Sequence, residues 1–130
     1  SIFFNIYKDN KNNMISEKYI EAGLYLAKEN KLKSKELFEE IIYEKNKFYS
    51  LLSLNTIIEK NLVTDTEKVL NYFEIIESIN YSKDQKDLII FKKGLYLIKN
   101  SQDKDGIQLL KNLIEKDSVF KSLAQDILNK

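Results

Sequence analysis

Two stretches, Tyr19-Ile20-Glu21-Ala22-Gly23-Leu24-Tyr25-Leu26-Ala27 at 19–27 and Leu88-Ile89-Ile90-Phe91-Lys92-Lys93-Gly94-Leu95-Tyr96-Leu97-Ile98 at 88–98, decide how this chain is read. Both are apolar around nearly the whole helical circumference, and neither shows the strict alternation of a half-buried strand. Helices of that kind touch neighbours on two sides, as the inner layer of a stacked helical array does. The stretch 36–45 is different in kind. Leu37, Phe38, Ile41 and Ile42 form one stripe against Glu36, Glu39, Glu40, Glu44 and Lys45, which describes a helix with one solvated face.

Working outward, apolar residues recur at helical spacing over 14–29, 34–45, 48–60, 65–79, 83–99, 104–115 and 118–129, so seven helices are expected. Thr64-Asp65-Thr66-Glu67 and Ser82-Lys83-Asp84-Gln85 fit the capping box that opens a helix. Asn30, Asn46, Asn61, Asn80 and Asn100 stand at expected helix ends, where the chain turns left-handed and Asn tolerates this best after Gly. No connection exceeds about six residues, so successive helices should pack antiparallel. The expected fold is all-α: antiparallel helical hairpins stacked as a short α-solenoid over 14–130, preceded by a distinct segment at 1–13.

An internal repeat supports the stack. Gly23-Leu24-Tyr25-Leu26 returns as Gly94-Leu95-Tyr96-Leu97, and with one extra loop residue Ser34, Phe38, Ile41 and Ile42 fall on Gly106, Leu110, Leu113 and Ile114. A small residue, an aromatic three on, a small residue in the next helix and a large apolar four later resembles the tetratricopeptide unit. The first copy supplies Ala22, Tyr25, Ser34, Phe38 and Ile41. The second supplies Tyr96, Gly106, Leu110 and Leu113, with Lys93 where a small residue is expected. Small residues let paired helices approach and large ones fill the space between hairpins. The middle pair retains only Ser53 and Phe73 of this chemistry.

Composition removes most catalytic readings. The 130 residues contain no Pro, Cys, His or Trp, three Gly, and 21 basic residues that are all Lys, for a net charge of +1. Without His or Cys there is no zinc finger, thiolate nucleophile or His general base. Lacking Arg and an excess field, the chain is a poor partner for nucleic acid. The prevalence of Lys, Asn and Ile over Arg, Ala and Pro matches the codon bias of an AT-rich genome, which accounts for some of these absences. No enzyme site and no cofactor are expected.

Ser16-Glu17-Lys18-Tyr19-Ile20-Glu21-Ala22, Lys33-Ser34-Lys35-Glu36-Leu37-Phe38-Glu39, Tyr49-Ser50-Leu51-Leu52-Ser53-Leu54 and Leu88 to Leu95 together resemble the YfgM-type tetratricopeptide-like domain. The resemblance implies a single-pass inner-membrane protein whose domain faces the periplasm and contacts the Sec translocon and periplasmic chaperones. It supplies no catalytic residues.

The apolar start, Ser1-Ile2-Phe3-Phe4-Asn5-Ile6-Tyr7, is followed by a polar run from Lys8 to Asn13. It is too short to cross a membrane and lacks the basic start of a signal peptide. Two readings remain: the end of a truncated membrane span, with Phe3, Phe4 and Tyr7 at the interface and Lys8 among headgroups, or a helical turn folded onto the domain.

Three constellations read as ordinary structure. Glu36, Glu39, Glu40 and Glu44 form a solvated face; Asp103, Asp105 and Gly106 open a helix and lack the spacing of a calcium loop; most aromatics belong to the core. Tyr7, Tyr43, Tyr49, Tyr72 and Tyr81 are the tyrosines expected to reach a surface. In the last helix Val119, Phe120, Leu123, Ala124, Ile127 and Leu128 make a broad apolar face that either caps the preceding hairpin or docks a partner. Tyr43, Tyr49, Tyr72, Phe120 and Leu123 are the candidate partner-binding residues.

Overall fold

The computed structural model describes residues 2–130; Ser1, the first residue of the expected 1–13 segment, lies outside the described residues. The elements are α1 (Ile2–Ala27), α2 (Lys31–Tyr43), α3 (Tyr49–Glu59), α4 (Thr66–Glu77), α5 (Lys83–Lys99), α6 (Asp103–Glu115) and α7 (Lys121–Leu128). Among the described residues there is no strand. Six of the helices lie within three residues of their expected bounds. The exception is α1, which starts twelve residues before the expected position. The polar run from Lys8 to Asn13 contains neither Gly nor Pro, so it lowers helix propensity by tenths of a kcal/mol per residue, about 0.5, without supplying a stop.

The corners close without glycine. Glu29, Lys45, Asn61, Ser101 and Asp117 all have positive φ, between 52° and 65°. At the first corner the Asn30 N–H bonds Tyr25 O (2.9 Å) and the Glu29 N–H bonds Leu26 O (3.0 Å), the paired bonds of a Schellman stop. The longer bond recurs from Leu62 to Ile57, Gln102 to Leu97 and Ser118 to Leu113. At Lys45 a hydroxyl is inserted in its place: Ser50 Oγ accepts from the Asn46 N–H (2.8 Å) and donates to Ile41 O (2.7 Å).

The expected role of asparagine needs correction here. Only Asn61 is itself left-handed. Asn30 and Asn46 sit one residue later and start the next helix instead, Asn30 Oδ1 accepting from the Lys33 N–H and Asn46 Oδ1 from the Phe48 and Tyr49 N–H groups. In so short a corner the stop and the next cap are adjacent, and an Asn side chain contributes about 1 kcal/mol as a cap. The first capping box is also displaced: Asp65, not Thr64, accepts from the Glu67 N–H, whereas Ser82 accepts from the Gln85 N–H as expected.

Two compact units divide the chain between Ile79 and Asn80. In the first, α1 packs on α2, α2 on α3 and α3 on α4, with α1 also reaching α3 and α2 reaching α4. Its core includes Ile15, Ala22, Phe38, Ile41, Leu54, Ile57, Tyr72 and Phe73. In the second, α5 packs on α6 and α6 on α7, with Leu110, Leu113 and Ala124 at the centre and Ile90, Phe91, Ile98 and Phe120 around them.

The repeat itself is offset by 72 residues rather than the 71 of the four-residue identity. Glu29 corresponds to Ser101, Lys45 to Asp117, and the bounds of α2 to those of α6. Ala22 therefore matches Gly94, and Tyr25 matches Leu97 rather than Tyr96. No extra loop residue is needed. The close approach follows the same register: Ser34 Oγ donates to Ala22 O (2.9 Å) in the first unit, and in the second a Cβ on Gly106 would lie 2.5 Å from Gly94 O. Gly23 has nothing within 4 Å of its would-be Cβ, so the shared Gly-Leu-Tyr-Leu text has different structural duties in its two copies.

Candidate interaction surface

Helix α1 has one committed face and one open face. Ile15 and Ala22 are buried, and Tyr19 lies edge-on to Phe38 (centroids 5.6 Å) and tilted against Tyr49 (5.4 Å). Lys11 pairs with Glu44 (3.5 Å) and Lys18 with Glu40 (3.2 Å), while Asn46 Nδ2 donates to Asn12 Oδ1 (3.0 Å). These contacts hold the helix onto α2 and the start of α3. The acidic residues of α2, expected to be a solvated face, thus line up partly against lysines of α1. Exposed pairs of this kind each contribute about 0–1 kcal/mol, so they orient more than they stabilise.

On the opposite side Ile20, Gly23, Leu24 and Ala27 are exposed, as are Phe3 and Ile6 nearer the start. Phe3 is 86% exposed and Leu24 56%. Burying such side chains is worth roughly 1.5–3 kcal/mol each, so an open row of them is an unused association energy. The 72-residue register sharpens the point. Glu17 and Leu24 of α1 correspond to Ile89 and Tyr96 of α5, which are only 1% and 8% exposed. At these two positions the face that is covered in α5 is uncovered in α1. Sequence reading treated 19–27 as covered on both sides because periodicity reports apolar faces without reporting which have neighbours.

The sequence-named residues fall as follows. Ala22, Ser34, Phe38, Ile41, Tyr96, Gly106, Leu110 and Leu113 are buried, and Tyr25 is half-buried. Of the candidate partner-binding residues, Tyr43 and Leu123 are exposed, and Tyr49 is half-buried beneath Phe48 (centroids 4.9 Å). Phe120 is half-buried and stacked on Phe91 (5.6 Å). Tyr72 does not belong among them. It is fully buried, and its hydroxyl donates to Glu39 Oε2. Tyr81 is buried as well. Spacing alone leaves such positions ambiguous, because a tyrosine fits a core when its hydroxyl finds a partner, as that of Tyr72 does in Glu39. Ile6, Ile20, Leu24 and Phe48 are among the exposed apolar residues that sequence reading did not single out, whereas Phe3, named there as an interfacial residue, is exposed.

Three titratable groups are displaced from ordinary behaviour, each by a local cause; for the Tyr81 hydroxyl, which is pushed up, that cause is burial. Burial pushes the Tyr72 hydroxyl well up, and the Glu39 carboxylate that it bonds, itself paired with Lys68 (3.4 Å), raises it further. Asp87 sits in α5 at the position that Ile15 occupies in α1, with its side chain 1% exposed. Burial alone would push its carboxyl up, but Lys116 at 2.6 Å, the Ser118 hydroxyl and the charge of Lys83 outweigh this and hold it below the usual carboxylate range. Tyr72 is thereby held as a phenol and Asp87 as an anion; neither is poised to exchange a proton near neutral pH. Among the described residues no cluster of three or more acidic side chains could hold a metal ion, and no helix is long and apolar enough to cross a membrane.

No protein family, curated protein or solved structure matches this chain.

Proposed function

We propose that the chain is a non-catalytic protein–protein interaction domain, in which helical hairpins stacked in the manner of a tetratricopeptide α-solenoid offer apolar and aromatic side chains to other proteins. The observation that carries this reading is the open face of α1, on which Glu17 and Leu24 stand where α5 has the buried Ile89 and Tyr96. Solvent-exposed apolar residues arranged along one helix fit helix-in-groove recognition, and the Lys and Glu side chains around them would orient a partner more than bind it.

The finer reading rests on the YfgM-type resemblance: a domain on the periplasmic side of a bacterial inner membrane, acting beside the Sec translocon and periplasmic chaperones. The other reading is a scaffold subunit of another envelope complex, which a stoichiometric co-purifying assembly would favour. A photo-crosslinking residue at Leu24 or Phe48 in the native host tests both. Envelope proteins are expected among the adducts; a protein that fractionates with soluble cytosol and crosslinks to none of them removes the envelope reading.

A further inference from the structure

We infer that the open face of α1 pairs with the same face of a second copy of this chain, the two helices running antiparallel. This names one partner for the surface described above and so rests on reading it as a protein-binding face.

Phe3 and Ile6, then Asn10, Asn13 and Glu17, then Ile20, Leu24 and Ala27 follow alternating steps of three and four residues, the repeat of a two-helix seam. Every one of these residues is exposed, and they lie opposite Ile15 and Ala22, the positions that hold α1 to its own unit. The seam is apolar at both ends and polar in the middle. An apolar end therefore needs an apolar end to cover it.

Antiparallel packing offers a small set of registers, one heptad apart. In one of them Phe3 faces Ala27 of the second copy, Ile6 faces Leu24, Asn10 faces Ile20 and Asn13 faces Glu17. Phe3, Ile6, Leu24 and Ala27 of both helices are then covered by apolar partners, Ile20 lies against Asn10, and the Asn13 amide can donate to the Glu17 carboxylate. A slip of one heptad in either direction leaves two apolar layers of each helix uncovered. A parallel pair would set Glu17 against Glu17 and align the two helix dipoles, both unfavourable. Asp9 flanks Gly23 of the second copy in the favoured register, where the open space around Gly23 admits a close approach.

Scale is consistent as well. Phe3, Ile6, Ile20 and Leu24, 86%, 52%, 59% and 56% exposed, are the large apolar side chains each copy brings to the seam, and Ile2 and Tyr7 beside them extend the patch toward the about 800 Å² that each partner buries in a standard interface. The three polar positions in each helix weaken such a pair while fixing its register, as buried Asn does in coiled coils. A reversible dimer follows.

The chain has no cysteine, so single-cysteine variants give clean crosslinking with a short bismaleimide. Met14→Cys, close to the two-fold axis, should crosslink to itself. Phe3→Cys alone should not, because its two copies lie about 36 Å apart along the seam, but mixed with Ala27→Cys it should give a heterodimer. Sedimentation velocity of the unmodified chain should show a monomer–dimer equilibrium, and Leu24→Lys should weaken it by roughly tenfold or more with an unchanged far-UV spectrum, since Leu24 is exposed in the single chain. Self-crosslinking of Phe3→Cys overturns the antiparallel pair. So does a chain that stays monomeric up to millimolar concentration, a dimer indifferent to Leu24→Lys, or a monomer that instead partitions onto phosphatidylethanolamine–phosphatidylglycerol vesicles. An intact dimer with no envelope adducts in the host would leave this pairing standing and remove only the envelope reading.

Discussion

Two alanine substitutions, Gly23→Ala and Gly106→Ala, should move stability in opposite directions. In each case alanine gains about 0.5–1 kcal/mol from helix propensity. At Gly23 the new methyl meets nothing within 4 Å, so that gain stands alone. At Gly106 the methyl would lie 2.5 Å from Gly94 O, 2.7 Å from Ile98 Cγ1 and 3.0 Å from Ile98 N. Two of those atoms are backbone, so α5 and α6 must separate and the packing around Leu110 loosens. Overpacking of this kind costs about 1–3 kcal/mol, and the backbone obstruction puts Gly106 at the upper end, for a net loss of about 2 kcal/mol. With a urea slope of about 1.5 kcal/mol/M the midpoint should fall by roughly 1.3 M. Far-UV circular dichroism against urea reads both variants. A Gly106→Ala protein as stable as the parent would mean that α5 and α6 do not approach as described, and with it the 72-residue register would fall.

The other expectations concern three buried polar groups, Asp87, Ser50 and Tyr72. Asp87 is held ionised in the folded state, so its contribution is present above the ordinary carboxylate pKa and lost as pH falls through the lower folded value; Asp87→Asn should flatten the acid limb of a stability profile. Lys116→Met leaves that carboxylate buried without its counter-charge and should cost about 3 kcal/mol at neutral pH, with part of the loss recovered on acidification, the reverse of the parent. Ser50→Ala deprives the Asn46 N–H of its partner and the Ile41 carbonyl of one of its two donors, the Glu44 N–H remaining, and should lower stability by about 1–3 kcal/mol in a thermal melt, whereas Ser122→Ala, at the equivalent exposed position, should be neutral. Tyr72→Phe should cost about 1.5–3 kcal/mol through the lost bond to Glu39, and in the parent an ultraviolet alkaline titration should leave Tyr72 un-ionised well above the ordinary tyrosine range.

Helix identity was legible because 3.6-residue periodicity and caps are local properties. Six of seven helices could be placed from them, and Ser82 could be read as a cap from the four residues Ser82 to Gln85 alone. What sequence could not supply was partnership. The Gly-Leu-Tyr-Leu identity pointed to the wrong register because Gly23 and Gly94 are the same residue on different faces, and only the opposing helix distinguishes them. Tyr72 read as a surface residue because nothing nearby in sequence announces Glu39, thirty-three positions away. Asparagine read as a stop because its two talents, left-handed backbone and side-chain capping, are adjacent in a tight corner, and the second prevailed at Asn30 and Asn46. The seam on α1 was visible as spacing, yet Asn10, Asn13 and Glu17 interrupt the apolar signal.

The glycine-free corners have an evolutionary side. Glu29, Lys45, Ser101 and Asp117 each hold a conformation that disfavours an L side chain by about 1 kcal/mol. In a domain whose whole stability is of order 5–15 kcal/mol, four such positions are a large unexploited margin. Each lies a few nucleotide changes from relief, and a glycine at Lys45 or Asp117 should raise the melting temperature without touching the core. The lineage can therefore absorb destabilising change elsewhere, including on the open face of α1, and recover the loss at its corners.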